Sequence, residues 1–343
     1  MQIRLIPYQL TLKHTFGISR EAHDVQDTLI IALSLNGHTG YGETTSNPYY
    51  NVSIASMIAE IEAVRSAIAQ HPFTDPAIFH EHLSALKLSN FAVCALDMAY
   101  NDLYGKTLDK PLYEIWGQDI ASYPRTNYTI GLAPIDKMIE KLLEKPWPIY
   151  KIKLGTDHDV QIIKALRKVT DAVFRVDANC AWTEEEAIEN AHALKALGVE
   201  FIEQPLNADN REGMKKVMAE SALPLMADES CIVEADVEKC KGHFHGINIK
   251  LTKCGGLTPA RRMIKKARDL GLKVMVGCMT ESTVGISAVA QLLPELDYVD
   301  MDGAMLLKHD IASGVTILDN GDVVFPTLPG TGVTLSILSL IHI

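Results

Sequence analysis

After Pro111 the chain changes its grammar. Short apolar, β-rich runs alternate from there almost to the C-terminus with longer stretches of helical period. The strand-like runs are Thr126–Ile130, Ile149–Lys153, Ala172–Asp177, Phe201–Glu203, Leu225–Asp228, Gly246–Lys250, Lys273–Gly277 and Tyr298–Asp302. Helical patterns fall between them, near Ile135–Leu143, Val160–Val169, Glu184–Leu197, Arg211–Met218, Ile232–Lys239, Pro259–Leu270 and Thr283–Leu293. Eight strands with seven intervening helices describe an α/β chain closed into a parallel (β/α)7β barrel of TIM type. A doubly wound sheet needs fewer strands and usually a Gly-rich first turn, and no GxGxxG follows any strand here.

Before Pro111 there is no such alternation. Gln2–Leu10, Thr28–Leu35 and the stretch around Tyr41–Thr44 read as strands, with Asn36-Gly37 as a tight hairpin. Ile54, Met57, Ile58, Ile61, Val64 and Ile68 then recur at helical spacing, followed by helices near Pro76–Leu86 and Phe91–Leu103. Strands followed by helices make a small α+β unit. The expected domains are therefore an α+β cap over residues 1–115 and a barrel over 116–311, with residues 312–343 returning to the cap. The segment Gly314–Phe325, turned by Asp319-Asn320-Gly321, is assigned to that cap.

Charge and cysteines exclude several function classes. The chain carries 32 Lys and Arg against 43 Asp and Glu, a net charge of −11, with no basic stripe, so nucleic acid is not an expected partner. Cys94, Cys180, Cys231, Cys240, Cys254 and Cys278 are scattered without a CxxC pair, which fits reduced thiols and a cytoplasmic location. Arg4 interrupts the N-terminal apolar stretch, and the tail Val333–Ile343 is too short to span a bilayer, so no membrane partner is expected. Monomer and homo-oligomer both stay open.

Catalytic groups of a parallel barrel sit where its strands end. The second strand ends Lys151-Ile152-Lys153, the third Asp177-Ala178-Asn179, the fourth Glu203-Gln204-Pro205, the fifth Asp228-Glu229-Ser230 and the sixth Asn248-Ile249-Lys250. Taken singly, each carboxylate reads better as a helix cap or loop residue, and Lys-x-Lys reads equally as a solvated pair. Together they converge on the barrel mouth, where Asp177, Glu203 and Asp228 would repel one another without a cation. Oxygen ligands with no His or Cys beside them suit Mg²⁺, with Mn²⁺ as the alternative.

These motifs, in this order and at this spacing, resemble the muconate lactonizing enzyme subgroup of the enolase superfamily over essentially the whole chain. The resemblance implies abstraction of a proton α to a carboxylate, through an enediolate held by Mg²⁺ on Asp177, Glu203 and Asp228. Lys151 would donate to the substrate carboxylate, and Lys153 and Lys250 would face the α-carbon from opposite sides as base and acid. The charge of Lys151 and of the dication disfavours a charged Lys153; for Lys250 the same effect rests on the metal alone. Lys253 reads as a surface or loop lysine.

Asp300 and Asp302, two apart at the end of the eighth strand, read either as a solvated loop pair or as groups facing the mouth. In the subgroup's dipeptide epimerases such an Asp-x-Asp binds the substrate ammonium, so the resemblance implies 1,1-proton transfer on a dipeptide. Further candidate substrate contacts are Phe16 and Arg20 in the first loop, Thr126 on the first barrel strand, and Cys278 and Thr280 after the seventh. The resemblance implies basic residues both in the first loop and after the seventh strand where the second residue is acidic; Arg20 is present but no cation lies in Gly277–Thr283, which favours a small or hydrophobic second residue. Competing readings are o-succinylbenzoate synthase, N-succinylamino acid racemase or muconate cycloisomerase of the same subgroup, and a non-catalytic binding barrel.

Overall fold

The computed structural model describes residues 1–18 and 22–336. An antiparallel sheet opens the chain, made of β1 (Gln2–Gly17), β2 (Ala22–Leu35) and β3 (His38–Thr45). Asn36 and Gly37 turn the last two strands at φ 50° and 84°, the left-handed pair that a tight hairpin requires. Three helices follow, α1 (Ile54–Gln70), α2 (Pro76–Ala85) and α3 (Asn90–Thr107). Ser53, Asp75 and Ser89 cap them, their side chains accepting from amides of each first turn. Helix α3 is buried on almost every side from Phe91 to Leu103. Gly40 and Gly42 of β3 permit that depth, because a Cβ at either would collide with the carbonyls of Ala99 or Ala95.

The barrel follows the one-turn α4 (Leu112–Ile115). Its strands are β4 (Tyr128–Ile130), β5 (Ile149–Lys153), β6 (Val173–Asp177), β7 (Val199–Glu203), β8 (Leu225–Ala227), β9 (Gly246–Lys250), β10 (Lys273–Gly277) and β11 (Tyr298–Asp300), parallel and in chain order. A parallel bridge between Thr126 and Val299 joins the last strand to the first. Outside run α5 (Ile135–Glu144), α6 (Asp159–Arg167), α7 (Glu184–Lys195), α8 (Arg211–Glu220), α9 (Glu234–Cys240), the single turn α10 (Leu251–Cys254), α11 (Leu257–Asp269) and α12 (Thr283–Ala290). Phe201, Met226 and Met275 pack with Tyr298 as an apolar floor. Buried Arg175 lies 5.4 and 5.0 Å from the Phe201 and Tyr298 ring centres.

The C-terminal segment departs from its expected place. Strands β12 (Ala312–Ser313), β13 (Thr316–Ile317), β14 (Val323–Val324) and β15 (Thr334–Leu335) form two small pairs. The β13–β14 hairpin lies on the barrel rather than on the first unit. Its Asp322 and Asp319 pair with Arg125 and Lys145 at 2.7 and 2.6 Å, and Gly321 accepts from Thr126 N. The chain reaches the N-terminal sheet later, where Val333 joins the cluster of Ile6, Leu10 and Ile30. Among the described residues, no helix is long and apolar enough to cross a membrane.

Buried carboxylates fasten the N-terminal unit to the barrel. Glu43 on β3 accepts from Ser282 N, Ser282 Oγ and Gly285 N at 3.0, 2.6 and 2.9 Å, at the start of α12. Asp97 on α3 accepts from Thr258 N at 2.9 Å in the first turn of α11. Asp102 holds Thr331 N at 2.8 Å. Glu281, beside Glu43, is pushed up to about 8 by burial and then by the Glu43 charge. An acid whose pKa is higher folded than unfolded loses stability as pH rises from the unfolded value toward the folded one. Glu281→Gln should therefore stabilise the protein at pH 8 by at least about 1–2 kcal/mol, a tenfold change in proton affinity being about 1.4 kcal/mol. It should do little at pH 4.5. Thermal unfolding at both pH values checks this; an equal shift at both would refute a burdened Glu281.

Candidate active site

Parallel register lines up the strand ends. Lys153 of β5 pairs with Asp177 of β6, which pairs with Glu203 of β7. On the other arc, Gly277 of β10 sits between Lys250 of β9 and Asp300 of β11. Three strands separate β5 from β9 in either direction, so Lys153 and Lys250 face each other across the mouth. Between them is a cavity of about 300 Å³. Lys151, Lys153, Asp228, Glu229, Lys250, Asp300 and Asp302 line its floor, and Phe16, Ile18, Pro48, Tyr49, Tyr50 and Met279 contribute to its walls.

Asp177, Glu203 and Asp228 are buried and bring one oxygen each within 4.8 Å of one another. Lys151 Nζ sits among them, 3.2 Å from Asp177 Oδ2, 2.8 Å from Glu203 Oε2 and 2.9 Å from Asp300 Oδ2. Burial works against its charge, but Asp300, Glu203 and Asp177 outweigh burial and hold it well above the ordinary lysine value. Lys153 Nζ lies 2.7 Å from Asp177 Oδ2 and Lys250 Nζ 2.8 Å from Asp228 Oδ2. Asp177 is pulled down to about 2, since Lys153 and Lys151 overcome its burial. Glu203 goes the other way, to about 7, through burial and then the Asp177 charge. Glu203 Oε2 accepts no hydrogen bond despite its nearness to Lys151. Three buried carboxylates with no nitrogen or sulfur donor, one of them under-satisfied and resisting ionisation, fit a hard divalent cation.

Two family models match the chain. Residues 2–117 match the mandelate racemase/muconate lactonizing enzyme N-terminal domain, and residues 135–337 the enolase C-terminal domain-like model. The chain belongs to the enolase superfamily. It is 68% identical over 336 residues to an L-Ala-D/L-amino acid epimerase of a Maribacter species, covering 98% of this chain and 100% of that one. A dipeptide epimerase of Enterococcus faecalis, solved with Mg and L-Leu-L-Tyr, superposes with TM-score 0.92 at 30% identity, covering 97% and 99% of the two chains. An N-succinyl Arg/Lys racemase of Bacillus cereus superposes equally well, TM-score 0.92 at 25% identity, over 99% and 96%. Backbone shape alone thus does not choose a substrate.

The side chains of this enolase-superfamily member correct several expectations. Lys253 is no surface residue: it is 1% exposed, with Nζ 2.5 Å from Asp228 Oδ1. Lys250, whose expected ease of deprotonation rests on the metal alone, is held above the ordinary lysine value by the protein's own groups, because Asp228 and Glu203 outweigh its burial and the Lys151 charge. Only a cation sharing the Asp228 charge would relieve that hold. Thr126 does not line the cavity; its hydroxyl accepts from Met301 N at 3.0 Å beside the bridge that closes the barrel. Thr129, three residues further on and within β4, lines the cavity instead. Phe16, Cys278 and Thr280 do line it, and Arg20 lies outside the described residues.

Asp300 and Asp302 both reach the cavity, though β11 ends at Asp300. Asp302, at φ −87° and ψ 5°, starts the 3₁₀ turn Gly303–Leu306. Asp300 is already engaged, by Lys151 and by Asn127 Nδ2 at 2.7 Å, and is lowered because these contacts overcome its burial. Asp302 accepts from Thr129 N at 2.5 Å and is raised to about 7 by burial and the Asp300 charge. Asn127 was not among the residues picked from sequence; its neighbour Thr126 was. The raised Glu203 also yields a test of the cation site. Mg²⁺ needs Glu203 ionised, so Mg²⁺ binding should tighten up to about tenfold between pH 6 and pH 8 with proton release. Calorimetry in buffers of different ionisation enthalpy measures both, and pH-independent binding would contradict the site.

Proposed function

We propose that this chain is a divalent-cation-dependent dipeptide epimerase, moving a proton at the α-carbon of the C-terminal residue. The observation that carries the reading is the arrangement of charge around one cavity. Two lysines face each other across it, and a pair of carboxylates not needed by the cation site waits to one side. The activities of the 68% identical relative and of the structurally similar enzyme with a bound dipeptide support it. The barrel, about residues 116–311, supplies the reacting groups, and the cap, about 1–115, supplies Phe16, Ile18, Pro48, Tyr49 and Tyr50 of the wall. Scattered free thiols favour the cytoplasm.

Asp177, Glu203 and Asp228 would hold Mg²⁺ or Mn²⁺. When bound there, such an ion would supply positive charge to a substrate carboxylate. Lys151, fixed at the centre, would donate to the same carboxylate. Lys153 removes the α-proton from one epimer and Lys250 returns one to the opposite face; the roles exchange for the other epimer. Asp302 with Asp300 takes the substrate's ammonium, whose charge favours the ionised form of Asp302. Among the described residues, Phe16, Ile18, Pro48, Tyr49, Tyr50 and Met279 of the wall are uncharged, which favours a small or apolar side chain on the second residue.

Two outcomes test the reading. Lys153→Ala and Lys250→Ala should each lower epimerisation at least about 10²-fold. Each should nevertheless exchange the α-proton of one epimer with D₂O, seen by mass spectrometry; normal epimerisation by Lys250→Ala would mean a one-lysine reaction. Asp302→Asn should reduce kcat/KM for free dipeptides about 10- to 150-fold, the value of a charge-assisted hydrogen bond worth about 1.5–3 kcal/mol. N-acetylated dipeptides, lacking the ammonium, should be little affected. Equal losses on both, or efficient turnover of N-succinyl amino acids by the unmodified chain, would favour the racemase reading.

A further inference from the structure

Each of the three carboxylates assigned to the cation has a second oxygen, and the chain grips it. Asp177 Oδ1 accepts from Asn179 N at 2.9 Å, and Glu203 Oε1 from Asn248 Nδ2 at 2.8 Å. Asp228 Oδ1 is held at 2.5 Å by Lys253 Nζ. The first two grips are neutral. The third is an ammonium, and it is built in. Lys253 lies on the single turn α10, three residues after Lys250, and the chain leaves that turn at once through Gly255 and Gly256 at φ 98° and 112°. Its Nζ also reaches the carbonyls of Asp228, Cys231 and Asn248 at 2.5, 3.1 and 3.3 Å. Four acceptors surround a group with three protons, so no donor is left for anything else. Lys253 does not line the cavity; its effect on the reaction must pass through Asp228.

We infer that Lys253 is a positioning residue that holds Asp228 by Oδ1, so that Oδ2 alone faces the cation and Lys250. The inference rests on the cation site proposed above. Without Lys253, both oxygens of Asp228 become available to the Lys250 ammonium 2.8 Å away, and an incoming cation competes for a carboxylate free to turn toward that lysine. A residue that merely adds positive charge near the site would act in the opposite sense, since its removal would strengthen cation binding.

The test is Mg²⁺ calorimetry on the full chain carrying Lys253→Met, a neutral side chain of similar length. The expected result is an Mg²⁺ dissociation constant about 10- to 100-fold higher, the usual effect of losing a residue that orients a ligand. Unchanged or tighter Mg²⁺ binding by the folded variant overturns the inference. Absence of Mg²⁺ binding by the unmodified chain overturns the cation site instead. To separate loss of the Asp228 grip from loss of folding, Asp228→Asn is compared with Asp228→Asn/Lys253→Gln by thermal unfolding in EDTA. Loss of Lys253 in the background that lacks the Asp228 charge should shift Tm by no more than about 3 °C. A much larger fall assigns Lys253 to the fold rather than to Asp228.

Discussion

Everything at the mouth of this barrel depends on one constraint: buried carboxylates and buried ammonium groups must neutralise one another where water cannot. Asp177, Glu203, Asp228, Asp300 and Asp302 are all at most 5% exposed, as are Lys151 and Lys253, while Lys153 is 7% exposed. Isolated charges in such surroundings would be strongly disfavoured. Parallel register solves the problem by geometry, setting Lys153 against Asp177 and threading Lys151 between three acids. Buried ion clusters are weak contributors to stability when compared with apolar packing of the same volume. A barrel selected for stability alone would have continued the apolar floor of Phe201, Met226 and Met275 upward. That it stops there, and charge begins, is the strongest sign that the upper layer serves chemistry.

The cap is tied to that layer by the same currency of buried carboxylates. Glu43 meets the amides that open α12, and Asp97 those that open α11. Both places combine unsatisfied N–H groups with the positive end of a helix, where a carboxylate is most stabilised. The segment directly before α12 carries Cys278, Met279 and Thr280 into the cavity. The cap therefore fixes part of the barrel's own wall besides contributing Phe16, Tyr49 and Tyr50. Specificity built on the cap and chemistry built on the strand ends can thus vary separately while the docking carboxylates hold the two in register.

The sequence made legible whatever is local to a strand end. Lys151, Lys153, Asp177, Glu203, Asp228 and Lys250 could be picked out because strand period and barrel topology place such residues without further information. Lys253 could not, because one turn of helix beyond the strand swings it inward, and only the fold shows that Asp228 waits there. A lysine in a run of otherwise small and apolar residues, Leu251 to Gly256, was the available signal. Thr126 misled because the true first strand starts two residues later, and the threonine serves the closing bridge with Val299. The hairpin at residues 316–324 misled for a similar reason: its turn is readable, but the partners Arg125 and Lys145 that seat it are nearly 200 residues distant in sequence.

Asp300 and Asp302 look alike in sequence and have unlike tasks in space. Asp300 spends its charge on Lys151 and its second oxygen on Asn127, so it orients the central lysine whether or not a substrate is present. Asp302 accepts from a backbone amide and, among the described residues, has no salt-bridge partner; burial and the Asp300 charge raise it to about 7. In the proposed reading, an arriving ammonium completes this pair and favours its ionised form, while an acylated nitrogen brings no charge and leaves a strained carboxylate behind. In that reading, discrimination comes from the charge balance around Asp302 rather than from the shape of the cavity walls. The floor then recognises a cationic N-terminus, while wall residues such as Phe16, Ile18, Tyr49 and Met279 meet the second side chain without a charge of their own, which separates recognition of the dipeptide backbone from recognition of what it carries.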